Sequence, residues 1–409
     1  MNKKLLWLYI LSASIYATQG FEGLPGLSFF FYLKETLHLT PEKLMYLSSI
    51  ISIPWLIKPL EGFFIDNFLS KKIWIIISLL GSILISLFFG LSPVLTIPLI
   101  VIMSMLGNFN AAIRDIANDG LACIEGKESN TCNIFQNVQW TSITIAGIIV
   151  SLAGGYIADH LGYKFAYLCL IPIYLIILGV ISRYRSDKKE TWQLSNTKFS
   201  YACEPYVKKS SLWKTILSYK ELFTNKSFLI GCLFIFLFNF NPSFGTPLMY
   251  IERDKFAWSG TFLGILGAIA SGISIIGSLI YFKIGNKFDV KMLLKCSVFV
   301  SAGICLCYLY FTPISAVIYT CLFSLFGMFI FLTVMTFLAE NTIKGKEATS
   351  FALLCAISNL AGTCSTLTGA YLFPKVGLTW LIILSAATSF LCLPLISRLN
   401  IKGETNEKN

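Results

Sequence analysis

The sequence predicts an all-α integral membrane protein, with twelve transmembrane helices in two pseudo-symmetric halves of six. Three observations carry this expectation. The composition is too apolar to coat a soluble surface. Apolar runs of spanning length follow one another along the chain. Short motifs recur in order at a near-constant offset.

Of 409 residues, 56% are hydrophobic and only 13% charged, with a mean hydropathy of +0.72. Soluble domains carry about 25% charged residues, so the apolar excess must face lipid. Twelve cysteines lie mostly inside apolar runs, as at Cys296, Cys305, Cys307, Cys321, Cys355 and Cys392, and no C-x-x-C pair occurs. With His38 and His160 the only histidines, neither a metal site nor a cofactor is expected.

A helix crossing the hydrocarbon core needs about 20 mostly apolar residues. The first candidate, 5–33, follows Lys3 and Lys4 as a signal peptide would, but stays apolar past Gly20 with no small-residue cleavage site. It reads as a retained first span. The second, 44–65, holds charges within it. Uncharged runs at 73–89, 94–113, 131–158 and 165–182 complete the first half. After a polar stretch come 227–250 and 256–282, then a run over 296–339 that is too long for one span and is split by Phe311-Thr-Pro313. Runs at 348–374 and 376–397 finish the set. The domains expected are therefore a bundle over 1–183, a linker over 184–226 with no convincing globular pattern, and a second bundle with a short tail over 227–409.

Lys and Arg counts orient the spans. With the N-terminus inside, 25 of the 32 basic residues fall on inner segments, six on outer loops, and Lys58 lies within a span. Both termini and the linker are expected to be cytoplasmic, in a bacterial inner membrane. The net charge of +11 is then topogenic, and nucleic acid is not an expected partner.

The halves echo each other. Gly62-Phe-Phe-Ile-Asp66 before Lys71 and Lys72 matches Gly285-Asn-Lys-Phe-Asp289 before Lys291. Gly126-Lys-Glu128 matches Gly345-Lys-Glu347, and Gly154-Gly-Tyr-Ile157 matches Gly369-Ala-Tyr-Leu372. A parallel repeat of two six-helix halves resembles the major facilitator superfamily. The G-x-x-x-D-plus-basic pattern resembles that superfamily's cytoplasmic loop signature, which implies a cytoplasmic latch.

Charges at membrane depth cost at least about 2.5–3.5 kcal/mol each and are functional candidates. Glu22, in Gly20-Phe-Glu-Gly-Leu-Pro25, sits near mid-span where Gly and Pro permit a kink. It reads as a proton or cation site, or as a structural partner for another buried charge such as Lys58. Lys58 and Glu61 share a face at i,i+3, where they can pair; Lys58 can equally snorkel, meet Glu22 or contact substrate, and two prolines bracket it, freeing nearby carbonyls. Arg114, Asp115 and Asp119 cluster near the inner end of the fourth span, with Glu340 at the comparable end of the tenth. Gln136, Gln139, Trp140, Asn241 and Asn359 suit either a polar heterocycle or helix packing. No P-loop, H-E-x-x-H or G-x-S-x-G occurs, so an enzyme is not expected.

Several segments resemble the folate–biopterin transporters of the major facilitator superfamily. They are Gln19-Gly20 through Gly23-Leu24, Pro54-Trp-Leu-Ile-Lys58-Pro59-Leu-Glu-Gly62 with Asp66, and Asp115-Ile-Ala-Asn-Asp119. In the second half they are Asn241-Pro-Ser-Phe-Gly245, and Gly345-Lys-Glu-Ala-Thr-Ser-Phe-Ala-Leu-Leu354 with Asn359. The loop after Asp66 is shorter than that family's usual one, and Asp119 is followed by Leu-Ala-Cys-Ile-Glu125 rather than a valine-rich acidic segment. The resemblance implies uptake of a folate- or pterin-type metabolite; the carrier is expected to be a monomer working by alternating access and coupled to a proton, with Glu22 the residue expected to take that proton or to relay charge with Lys58. The substrate residues expected are Glu22, Lys58, Trp55, Arg114, Gln136, Trp140, Asn241, Phe244 and Asn359. The gating residues expected are Glu61, Asp66, Lys71, Lys72, Asp115, Asp119, Asp289 and Glu340. The alternatives are carriers of S-adenosylmethionine, a nucleotide-like compound or a muropeptide, and, from another class, a membrane-embedded enzyme or a receptor.

Overall fold

A computed structural model describes residues 3–129, 132–184, 189–194, 197–202, 224–341 and 347–399. Eight helices are long and apolar enough to cross a membrane. One of them, Leu353–Ile396, is two spans, because Gly377 takes φ 75° and breaks its course. Only glycine adopts that left-handed backbone without strain. Three further spans are assembled from short pieces, which brings the total among the described residues to twelve.

The first span is α1 (Lys3–Phe21) and α2 (Gly26–Phe31), followed by a π turn over Tyr32–Thr36. Between them Gly23 and Leu24 donate to the carbonyls of Gly20 and Phe21, three residues back, and Pro25 has no donor at all. The second span is α3 (Pro41–Ile51), α4 (Ile53–Leu56) and α5 (Lys58–Asn67). Pro59 cannot bond to the carbonyl of Trp55, and that oxygen accepts instead from Asn359 Nδ2 at 3.5 Å. Four unbroken helices follow: α6 (Lys71–Leu91), α7 (Ile97–Ser129), α8 (Cys132–His160) and α9 (Gly162–Arg183). The seventh span breaks between α10 (Lys226–Asn239) and α11 (Gly245–Asp254). Then come α12 (Gly260–Ile284), α13 (Val290–Cys307), α14 (Pro313–Glu340) and α15 (Glu347–Ser389), with the single turn α16 (Leu393–Ile396). Thr312 and Ser315 form a capping box that starts α14 where Pro313 ends the preceding run.

Two features differ from the sequence expectation. The fourth helix extends past the apolar run at Ile113 to Ser129, so Arg114 lies in mid-helix and fully buried rather than near the inner end. The apolar run stops at Arg114 because the chain there carries charge, not because the helix ends. Within the linker, β1 (Lys189–Leu194) and β2 (Thr197–Ala202) pair antiparallel, with Trp192 opposite Phe199.

By contact the chain divides into two compact units. The first holds Met1–Pro25, Ile57–Val150 and Tyr163–Ser218, and the second holds Gly26–Leu56, Ser151–Gly162 and Tyr219–Asn409. The boundaries at Pro25 and Leu56 are the breaks in the first two spans. In the first unit, Ser78, Ser82 and Ser86 of α6 form a buried polar stripe, while Leu80 and Leu84 point outward. In the second unit, Phe228, Phe234, Phe337, Leu354 and Ile396 form one apolar core. Large apolar side chains such as Leu84, Ile176, Leu279 and Phe282 are mostly exposed, as lipid-facing surfaces require.

Candidate functional site

The first unit holds a lattice of charges at membrane depth. Glu22, at the end of α1 where the helix loosens, forms an ion pair with Arg114 and accepts from Tyr174 Oη at 3.0 Å. Arg114 is wholly buried, with a second bond to Ser82 Oγ at 3.2 Å and its guanidinium 5.9 Å from the Tyr174 ring. One residue on, Asp115 pairs with Lys58 at 2.5 Å and accepts from Gln19 Nε2 at 2.6 Å. One turn further, Asp119 accepts from Tyr16 Oη at 2.9 Å and Gln139 Nε2 at 3.2 Å. Asn118 accepts from Ser12 Oγ at 2.9 Å, closing the contact of α1 with α7.

Exposure sorts these groups. Arg114 and Asp115 are sealed, with side chains 0% and 9% exposed, whereas Glu22 and Lys58 keep 23% and 26%. Each buried pair therefore offers one accessible pole, a carboxylate in one case and an ammonium in the other. An arrangement of this kind can meet a ligand that carries both hydrogen-bond donors and an anion.

The expected residues fall out as follows. Glu22, Lys58, Arg114, Asp115 and Asp119 are brought into one unit, but Glu22 meets Arg114 rather than Lys58. Lys58 pairs with Asp115, not Glu61. Glu61 is 5% exposed, and neither carboxyl oxygen has a hydrogen-bond partner among the described residues. Lys71 pairs with Asp66 at 3.2 Å, and Lys72 donates to the Tyr184 carbonyl at 2.7 Å. Lys72 thus caps the end of α9, where a cation is favoured. Trp140 is exposed, and its ring lies 6.4 Å from that of Tyr16. The side chains of Gln136 and Glu340, and residues 345–346 of the second echo, lie outside those described. Asp289 precedes α13 without capping it. Among the described residues, no three His, Cys, Asp or Glu gather as metal ligands.

In the second unit, Asn241 and Phe244 belong to the break between α10 and α11. Asn241 Oδ1 accepts from Ser389 Oγ at 3.0 Å and Thr388 Oγ1 at 3.3 Å, its carbonyl accepts from Ser365 Oγ, and Ser243 N donates to the Ser365 carbonyl at 3.1 Å. Asn241 therefore secures the unwound backbone. Beside it Phe244, Tyr308, Ser301 and Ser385 line a cavity of about 390 Å³.

The second unit also carries contacts that the sequence reading counted only as loop charges. Lys34 pairs with Asp254, and Arg253 pairs with Glu35 at 2.7 Å. Arg253 also donates to the Trp258 carbonyl at 3.0 Å and lies 4.1 Å from the Phe31 ring centre. Asp159 accepts from the backbone of Gly260 and Thr261, each at 2.7 Å, at the start of α12. Below it the helices cross so closely that a Cβ on Gly264 would lie 2.8 Å from the Cα of Gly155. Two short loops with adjacent opposite charges, Lys34-Glu35 and Arg253-Asp254, were the available signal.

Comparison with known proteins bears on the whole chain. Residues 19–407 match the profile of the BT1 family. A folate-biopterin transporter of Synechocystis sp. is 23% identical, covering 98% of this chain and 85% of the relative. Folate transporter 1 of Plasmodium falciparum is 24% identical, covering 96% and 76%. Among solved structures, a D-xylose-proton symporter superposes with a TM-score of 0.71 at 11% identity, covering 97% of both chains. A point mutant of the nucleoside transporter NupG superposes at 0.73 and 15% identity, covering 97% of this chain and 100% of its own. At these identities the structures speak to the fold alone, which is the twelve-span transporter fold that the repeat implied.

Proposed function

Because the chain belongs to the BT1 family and is a membrane transporter rather than an enzyme, we propose that its cargo is a folate- or pterin-type metabolite. The names of its relatives favour that class. The observation that carries the reading is the pair of accessible poles, Glu22 and Lys58, each backed by a sealed partner. A pterin edge presents adjacent N–H donors, which suit the Glu22 carboxylate. The glutamate tail of folate is anionic, which suits Lys58. Tyr16, Gln19 and Trp140 supply ring faces and amides around these poles.

Movement is by alternating access and proton-coupled symport, with both termini and the linker cytoplasmic as the basic residues favour. The ion pairs of Lys34 and Arg253, with the α8–α12 crossing, then lie at the outer ends of the spans and hold them closed. The cytoplasmic ends carry Asp66, Lys71 and Lys72. Cells expressing the protein are expected to take up labelled folic acid or a labelled pterin, and Lys58→Ala to abolish uptake of the anionic compound first. Undiminished folate uptake by Lys58→Ala would remove the anion-binding role. Uptake of S-adenosylmethionine or a nucleotide in place of folate would replace the substrate class.

A further inference from the structure

Inside the first unit, the described carboxyls near the ion pairs of Lys58 and Arg114 are Glu22, Glu61, Asp115 and Asp119, and a third cation, the buried Lys71, pairs with Asp66. Glu22 and Asp115 take Arg114 and Lys58. Asp119 is satisfied by neutral donors, Tyr16 and Gln139. Glu61 is not satisfied among the described residues, being 5% exposed with both oxygens unpartnered there. A buried carboxylate without donors bears an uncompensated desolvation cost of several kcal/mol, which its neutral acid form avoids.

The described charged groups on the helices that pack against Glu61 each have a partner of their own. Its helix, α5, packs on α7 and α6. On α7, Arg114 is held by Glu22, Asp115 by Lys58 and Gln19, and Asp119 as above. On α6, Lys71 faces Asp66 and Lys72 caps α9. On α5 itself, Lys58 lies one turn before Glu61 on the same face. Lys58 is thus the cation within electrostatic reach, and it is engaged with Asp115.

We propose that Glu61 is the group that carries the coupled proton, and that Lys58 sets its charge. This rests on the proton-symport reading above. One ammonium cannot neutralise Asp115, Glu61 and a bound anion together. With an anionic substrate on Lys58, Glu61 takes a proton from hydronium and crosses as the neutral acid. After the anion leaves, Lys58 turns toward Glu61, which returns its proton to water as a carboxylate. The proton and the anion therefore travel in the same direction. This assignment moves the coupling role from Glu22, which is committed to Arg114, to a residue otherwise read as part of a gate.

The test has two arms on the full-length protein in lipid. Infrared spectra across a pH series are expected to show a protonated-carboxyl band at neutral pH in the wild type. Glu61→Gln should lack it, and Glu61→Asp should retain it at shifted frequency. In a Lys58→Met background, the part of the band that depends on Glu61 should persist to higher pH. In proteoliposomes, an inward proton gradient should drive accumulation of labelled folic acid by the wild type, and Glu61→Gln should lose that accumulation. An unchanged band in Glu61→Gln overturns the assignment, whatever transport shows. Gradient-driven uptake that survives in Glu61→Gln also overturns it, and leaves symport standing. A wild type indifferent to the gradient, with the band as expected, overturns the symport reading and with it the coupling role of Glu61.

Discussion

The Glu22–Arg114 pair makes a directional prediction, because its two members are buried unequally. Glu22→Gln leaves the Arg114 guanidinium at 0% exposure with one neutral acceptor, Ser82 Oγ, and the new amide. Breaking a buried pair in this way costs about 3–5 kcal/mol. Arg114→Met leaves a carboxylate that is 23% exposed and still accepts from Tyr174 Oη. That loss is closer to the cost of one charged hydrogen bond, about 1–3 kcal/mol. The double variant removes both charges and is expected to be more stable than Glu22→Gln alone. Unfolding free energies of the purified variants in mild detergent give the comparison, and binding of labelled folic acid measured alongside separates stability from function. Should Arg114→Met prove as destabilising as Glu22→Gln, or the double variant simply sum the two single losses, the account of this pair as a buried, coupled unit would be wrong.

Other outcomes follow from the second unit and the span ends. Gly264→Val is expected to force apart α8 and α12, costing about 1–3 kcal/mol in that closed arrangement; Gly272→Val, whose Cβ meets nothing within 4 Å, serves as the control. Spin labels on the outer ends of α8 and α12 should report a longer distance in the first variant only. Lys34→Ala with Arg253→Ala removes two part-exposed ion pairs worth about 0–1 kcal/mol each, so accessibility of the outer ends should rise modestly, and less so in high salt; no change in cysteine labelling there would exclude a latch. Thr312→Ala deletes the capping box of α14 and should lower thermal stability by about 1 kcal/mol, with uptake kinetics unaltered.

The number and placement of the spans were legible because lipid imposes a length and an apolar surface that composition cannot hide. The breaks were legible too, where proline removes a donor. Pro25 and Pro59 interrupt the first and second spans; the run over 227–250 reads in sequence as one span, and its break at Pro242 is seen only in the structure. The structure adds that the breaks at Glu22-Gly-Leu-Pro25 and Asn241-Pro-Ser-Phe244 occupy corresponding places in the two halves. The small residues of the third echo also acquire a reason. Gly155 lies against Gly264, and a Cβ on Gly369 would lie 2.1 Å from the Ser243 carbonyl. Both mark points where a neighbouring backbone passes too close for a side chain.

Charge partners were not legible, and Arg114 and Asp115 show why. Sequence position gives the depth of a residue in the membrane but not which neighbouring helix it faces. Consecutive residues on a helix point about 100° apart, so these two, at nearly one depth, address different partners. Arg114 reaches Glu22, Ser82 and Tyr174, while Asp115 reaches Lys58 and Gln19. A reading by depth alone would join Glu22 to Lys58 and Lys58 to Glu61, because opposite charges at similar depth are the natural guess. The α7 backbone instead inserts a cation and an anion side by side, so that Glu22 and Lys58 each find a sealed partner and remain apart. Glu61 is then left with no hydrogen-bond partner among the described residues, beside a Lys58 already engaged by Asp115, and that placement, visible only once the helices are in position, gives the residue its distinctive chemistry.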